Sequence, residues 1–83
     1  MTRQVIWEEQ AVSQAAGFLD DPQGLQATLD AVGRLAHDPR PATSFPYGSP
    51  DRRRLRVGPY RVMYDVTGEL VSVWRIARLA VEG

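Results

Sequence analysis

Along this chain the hydrophobic positions follow a strand period, then a helical period, then a strand period again. Thr2 to Trp7 carries the β-branched and aromatic run Val5-Ile6-Trp7 and predicts a first strand. Ala11, Ala15 and Leu19 then recur at four-residue steps, flanked by Val12, Ala16 and Phe18, which predicts a helix with one apolar stripe. Glu8 and Glu9 sit where the positive end of its dipole is expected. Asp20-Asp21-Pro22 breaks that helix and starts another, with Asp21 as N-cap and Pro22 in the first helical position. Leu25, Leu29, Val32, Leu35 and Ala36 continue the helical spacing until His37-Asp38-Pro39, where proline disfavours helix in the residue before it.

From Asp38 to Asp51 come Pro39, Pro41, Pro46 and Pro50, with Phe45 and Tyr47 among them, so this stretch is expected to be an ordered loop with aromatics to bury. Beyond it, β-formers alternate with arginines on both sides of Gly58-Pro59. Such a dipeptide punctuates a hairpin, and side chains alternate faces along each strand. A two-residue loop sets Val57 opposite Tyr60, Arg56 opposite Arg61, Leu55 opposite Val62 and Arg54 opposite Met63. One face then holds Arg52, Arg54, Arg56 and Arg61; the other holds Leu55, Val57, Tyr60, Val62 and Tyr64. A turn at Thr67-Gly68 or Gly68-Glu69 leads to a last strand from Leu70 to about Leu79. Unbroken alternation assigns Ser72, Trp74, Ile76 and Arg78 to the arginine face, and Val71, Val73, Ala77 and Leu79 to the apolar face. The expected fold is α+β in the order β-α-α-β-β-β, a single domain over residues 1–83 with a two-helix hairpin on one face of a small four-stranded, antiparallel or mixed sheet.

Composition narrows the chemistry. A domain of 83 residues buries about 60 to 65% of its unfolded surface, so the core is thin. Without cysteine there is no disulfide, thiolate metal site or thiol nucleophile, and the single histidine, His37, leaves no metal cage; it is expected to cap a helix end. No metal or cofactor is expected. With no apolar run near the roughly 20 residues of a membrane span and no leader pattern, a cytoplasmic protein with no membrane partner is expected. The zero net charge conceals a division: residues 1–51 hold three arginines against seven acidic residues, and residues 52–83 hold seven against three, −4 and +4 respectively. All ten basic residues are arginine, whose planar fork suits phosphate. Like charges clustered across a ladder destabilise it by a few tenths of a kcal/mol to about one. An anion is the expected answer to that clustering; the alternative is a solvated face with ion pairs to Asp51, Asp65 or Glu69. Trp74 is a candidate either for base stacking or for packing, and Tyr60 and Tyr64 alternate with core residues.

The run Leu55-Arg56-Val57-Gly58-Pro59-Tyr60-Arg61-Val62-Met63-Tyr64-Asp65-Val66, with Leu35-Ala36-His37-Asp38-Pro39-Arg40 upstream, resembles the RelE/ParE superfamily of toxins from bacterial type II toxin–antitoxin modules. Element order and length match over the whole chain. The RelE-like branch implies a ribosome-dependent, metal-independent endoribonuclease that cuts mRNA in the ribosomal A site. Carried over residue by residue, Arg52 and Arg54 would help activate the 2′-hydroxyl and hold the scissile phosphate, Arg61 would stabilise the phosphorane, and Arg78 would replace a later family arginine. Arg53, Arg56 and Trp74 would contact RNA or phosphate. Family members commonly add a tail with a tyrosine or histidine; here Ala77-Arg78-Leu79-Ala80-Val81-Glu82-Gly83 follows, leaving Tyr47, Tyr60 and Tyr64 as the tyrosines at hand. The resemblance also implies a cognate, RelB-like antitoxin, with operator DNA reached only through it. Two alternatives belong to the same superfamily: a ParE-like gyrase inhibitor with no catalysis of its own, and a weakly toxic relative that mainly binds antitoxin and co-represses its operon.

Overall fold

The computed structural model describes residues 2–79; Ala80 to Gly83, the end of the tail just quoted, lie outside the described residues. Strand β1 (Gln4–Trp7) leads into helix α1 (Glu9–Ala16) and helix α2 (Pro22–Arg34), and then into β2 (Ser44–Ser49), β3 (Arg52–Val57), β4 (Tyr60–Thr67) and β5 (Leu70–Arg78). The strands form one mixed sheet in the order β1-β5-β4-β3-β2, with β1 parallel to β5 and every other neighbour antiparallel. Five strands, not four, are therefore present. The addition is β2, inside the proline-rich stretch expected to be a loop. Proline cannot donate to a ladder, so it is tolerated on an edge strand, and β2 is the edge.

The central hairpin has the expected register: Val57↔Tyr60, Arg56↔Arg61, Leu55↔Val62 and Arg54↔Met63. Gly58 takes a positive φ of 55° and Gly68 one of 58°, the conformation the two tight turns require and which L side chains resist. Helix α2 starts as its sequence dictates. The Asp21 carboxylate accepts the Gly24 N–H at 3.1 Å, and Pro22 occupies the first turn.

Both helices lie on one face of the sheet. Ala11, Leu25, Val32 and Leu35 pack there against Leu55, Tyr60, Val62, Tyr64, Val66, Val71, Val73 and Ile76. Thr28 is buried with them and donates its hydroxyl to the Gly24 carbonyl one turn back, at 2.8 Å. Helix α1 is shorter than its apolar stripe: it stops at Gly17, and Leu19, beyond the end, is 71% exposed.

Strand β5 departs from simple alternation. Its pairing steps from Met63↔Arg75 to Tyr64↔Val73, so Trp74 is an extra residue, a bulge. Up to Val73 the expected faces hold. Beyond Trp74 they invert: Ile76 faces the helices opposite Val62, and Arg78 faces them opposite Tyr60, while Arg75 and Ala77 face the arginine side opposite Met63 and Arg61. Two glutamines of α1 accompany the change. Strand β1 pairs with β5 only as far as Val73. Past that point the Gln10 side-chain amide donates to the Trp74 carbonyl at 2.5 Å, and the Gln14 carbonyl oxygen accepts the Ile76 N–H at 2.9 Å. Spaced one helical turn apart, these side chains satisfy strand groups that β1 no longer reaches.

Candidate anion-binding surface

On the sheet face away from the helices, two cross-strand rows carry the candidate chemistry. One row reads Phe45, Arg54, Met63, Arg75 across β2, β3, β4 and β5; the next reads Arg56, Arg61, Ala77 across β3, β4 and β5. Strands in a sheet lie about 4.8 Å apart, which brings the four guanidiniums into one surface. Met63 is its floor, only 8% exposed although it lies outside the helix-side core. Long arginine stems cover such a residue while their heads stay in water.

Two open depressions shape this surface. Phe45, Arg54, Arg56, Arg61 and Leu79 line one of about 410 Å³. Tyr47, Arg54, Arg61, Met63, Arg75, Ala77 and Leu79 line another of about 210 Å³. Phe45 and Tyr47, expected to be buried, are instead 43% and 48% exposed at its rim.

Among the described residues, no carboxylate compensates the charge at this surface. The ion pairs among the described residues are Arg40–Asp51, Arg52–Asp65 and Arg78–Asp20, so Arg54, Arg56, Arg61 and Arg75 have no carboxylate partner there. Desolvation, and then the neighbouring Arg56 and Arg54 charges, hold the Arg61 pKa below its usual value. One Arg61 nitrogen, Nη1, donates to the Gly58 and Tyr60 carbonyls, both at 2.8 Å, which fixes the guanidinium at the hairpin turn.

The remaining candidates are placed elsewhere. Arg52 shares the face but is already answered. Its Nε and Nη2 bind the two Asp65 oxygens at 2.9 and 3.1 Å, and that hydrogen bonding and charge raise its pKa. Its guanidinium also stacks 5.1 Å from the centre of the half-buried Trp74 ring, so Trp74 packs under Arg52 and does not stand free for a base. The Trp74 indole N–H is buried without a partner. Arg53 is a correction: it shares parity with Leu55, is 9% exposed, and donates to Ser44 Oγ, the Ser44 carbonyl and the Pro50 carbonyl at 2.9, 3.2 and 3.1 Å. Arg78 is the second correction, carried by the bulge to the helix side, where it meets Asp20 at 3.2 Å and lies 4.9 Å from the centre of the Phe18 ring.

The tyrosines sort in the same way. Tyr60 donates to Asp21 at 2.9 Å and Tyr64 to the Pro39 carbonyl at 2.6 Å, both from the helix side, and burial raises both phenol pKa values. Only Tyr47 among the three faces the arginine rows. Among the described residues, the lining of the two depressions therefore contains arginines, apolar groups and one phenol, with no carboxylate or imidazole. Guanidinium is an anion-binding group and a poor general base, so such a surface can hold and stabilise an anion but offers little as a proton acceptor.

Sequence reasoning missed Arg75 and Phe45, and named Tyr47 as a tyrosine at hand without placing it beside the arginine rows. The two aromatics lacked a strand assignment to give them a face. Arg75 was hidden by the bulge one residue before it.

Comparisons with known proteins bear on the family and the fold. Residues 5–79 match a family model described as the ParE toxin of the type II toxin–antitoxin system parDE. No curated protein matches the chain. Among solved structures, the chromosomal ParDE system from P. aeruginosa superposes with a TM-score of 0.78 at 18% identity, covering 95% of this chain and 98% of that one. The RelBE2 toxin–antitoxin complex from Mycobacterium tuberculosis gives 0.78 at 20% identity over 94% and 99%. The archaeal RelE–RelB complex from Pyrococcus horikoshii gives 0.77 at 22% identity over 99% and 100%. At these identities the likeness is one of fold.

Proposed function

The chain belongs to the ParE toxin family of type II toxin–antitoxin systems, and from that premise we propose that it acts by binding a polyanionic target, in the manner of a gyrase inhibitor, and not by cutting RNA. The observation that carries the proposal is the surface made by Arg54, Arg56, Arg61 and Arg75: among the described residues these four cations have no carboxylate partner, and the lining holds no carboxylate or imidazole to take a proton. RNA cleavage by attack of a 2′-hydroxyl needs a group that accepts its proton as well as cations that stabilise the phosphorane. The cations are here. DNA held on gyrase offers a dense row of phosphates, and its capture needs only charge and shape.

The RelE-like reading, ribosome-dependent mRNA cleavage, is the second one, and Tyr47 favours it. Its phenol borders Arg54, Arg61 and Arg75 and is the one non-arginine titratable group of the lining. Both readings include a cognate antitoxin, as in the complexes this fold resembles. Charge complementarity supports an acidic segment of it as the cover for the arginine surface.

Two assays run in parallel separate the readings. Purified toxin is added to gyrase with relaxed plasmid and ATP, and to ribosomes carrying a defined message. Inhibited supercoiling with an intact message, and recovery of supercoiling in Arg54→Ala/Arg61→Ala, is the expected result. A message cut in the A site with gyrase unaffected refutes the proposal and installs the RNA-cleaving one.

A further inference from the structure

Strand β2 is held in an unusual way. Its pairing with β3 runs Ser44↔Leu55, Phe45↔Arg54 and Pro46↔Arg53, then jumps to Ser49↔Arg52, so Tyr47 and Gly48 bulge out of the ladder. Gly48 has a φ of 87°, a conformation open to glycine that lets the chain turn back at that point. The same bulge puts Tyr47 beside Arg54, Arg61 and Arg75.

Behind the bulge lies Arg53. Its fork reaches Ser44 with Nε and Nη2 and Pro50 with Nη1, spanning both ends of β2 from the buried side. This is a costly use of a cation, since burial removes it from water and no carboxylate among the described residues compensates. A planar, rigid fork with donors on both sides can bridge two chain segments in a way that a flexible ammonium cannot.

Resting on the binding surface proposed above, we infer that Tyr47 is a contact residue of that surface and that Arg53 is the positioning residue that sets it there. The ring supplies a π face beside guanidiniums that have no carboxylate partner among the described residues. That combination suits an unstacked nucleotide strand, with phosphates on the arginines and a base on the ring. Arg53 touches no ligand; it acts through the path of β2.

Fluorescence anisotropy with labelled dT12 and rU12 at low salt tests this with the full chain. Tyr47→Ala is expected to weaken binding at least about fivefold, the lower end of what stacking one base on an aromatic side chain contributes. Tyr47→Phe keeps binding. Arg53→Lys is expected to lose as much as Tyr47→Ala, and the double variant no more than either, because both remove the same contact. Ser44→Ala, which removes the hydroxyl from one end of the clamp, gives the same non-additive pattern if Arg53→Lys fails to fold. In Arg53→Lys, or in Ser44→Ala if it is used instead, faster amide exchange is expected over 44–50, with the core strands unchanged.

Wild-type binding lost in Arg54→Ala/Arg61→Ala, together with an unaltered Arg53→Lys or losses that multiply in the double variant, overturns this inference and leaves the surface intact. No binding to either oligomer overturns this inference and leaves the arginine surface to the gyrase assay; binding indifferent to Arg54 and Arg61 overturns both.

Discussion

Replacing Ile76 by alanine and, separately, Leu79 by alanine measures the bulge in β5 directly. Unbroken alternation along the strand makes Leu79 a core residue and Ile76 a surface one; the bulge at Trp74 reverses them. In the structure Ile76 is 2% exposed within the helix-side core, and Leu79 is 51% exposed. Truncating a buried isoleucine to alanine costs about 2 to 5 kcal/mol, from lost transfer energy and from the cavity left behind. A value of about 3 kcal/mol fits a site closed on one side by helix α1 and on the other by Val62 of the adjacent strand. In a domain of this size each kcal/mol lowers the melting temperature by about 4 to 8 °C, so Ile76→Ala is expected to lower it by about 12 to 24 °C. Leu79→Ala stays within about 0.5 kcal/mol, a few degrees at most. Circular dichroism melts and urea titrations with matched slopes give both values. A larger loss for Leu79→Ala than for Ile76→Ala refutes the bulge and returns Arg75 to the helix side and Arg78 to the arginine side.

Arg75→Ala is expected to weaken polyanion binding and to reduce the slope of log affinity against log salt by about one, while Arg78→Ala leaves that slope unchanged; salt titrations of both variants read this. Asp21 caps α2 and accepts the Tyr60 hydroxyl, so Asp21→Ala should cost about 2 kcal/mol in urea unfolding, with Asp20→Ala well below it. Burial raises the Tyr60 and Tyr64 pKa values above the usual 10.0, so the folded state keeps protons that the unfolded state loses. Their contribution is complete below pH 10 and is lost as pH rises from there through the folded values; the urea midpoint should fall over that window, and less steeply in Tyr60→Phe.

The parts of the fold legible in the sequence were those where local chemistry and burial agree. Gly58 is both a turn former and the residue that separates two alternating runs, so the register of the central hairpin followed from it. Asp21-Pro22 marked the start of α2 by the cap it makes. Strand β2 was illegible because Pro46, Gly48 and Pro50 argue against a strand, and only an edge position with a bulge accommodates them. At β5 each parity offers apolar side chains to the core, Trp74 and Ile76 on one, Ala77 and Leu79 on the other. Contacts from α1, 62 and 64 residues away in sequence, accompany the outcome, and periodicity within the strand does not contain them.

Arg53 was legible and was missed, since its parity with Leu55 and Val57 already placed it on the core face. Its burial sharpens the charge argument. Of the seven arginines in residues 52–83, Arg52 is answered by Asp65, Arg53 by oxygens of Ser44 and Pro50, and Arg78 by Asp20 from the other half of the chain. That leaves Arg54, Arg56 and Arg75, and Arg61 with one nitrogen held by backbone carbonyls, all on one face and without a carboxylate partner among the described residues, with Arg56 directly opposite Arg61. Each internally satisfied arginine removes one competitor for an incoming anion. The four that remain repel one another, a cost that an anionic ligand relieves on binding. The surface is thus defined as much by where the other three arginines went as by the four that form it.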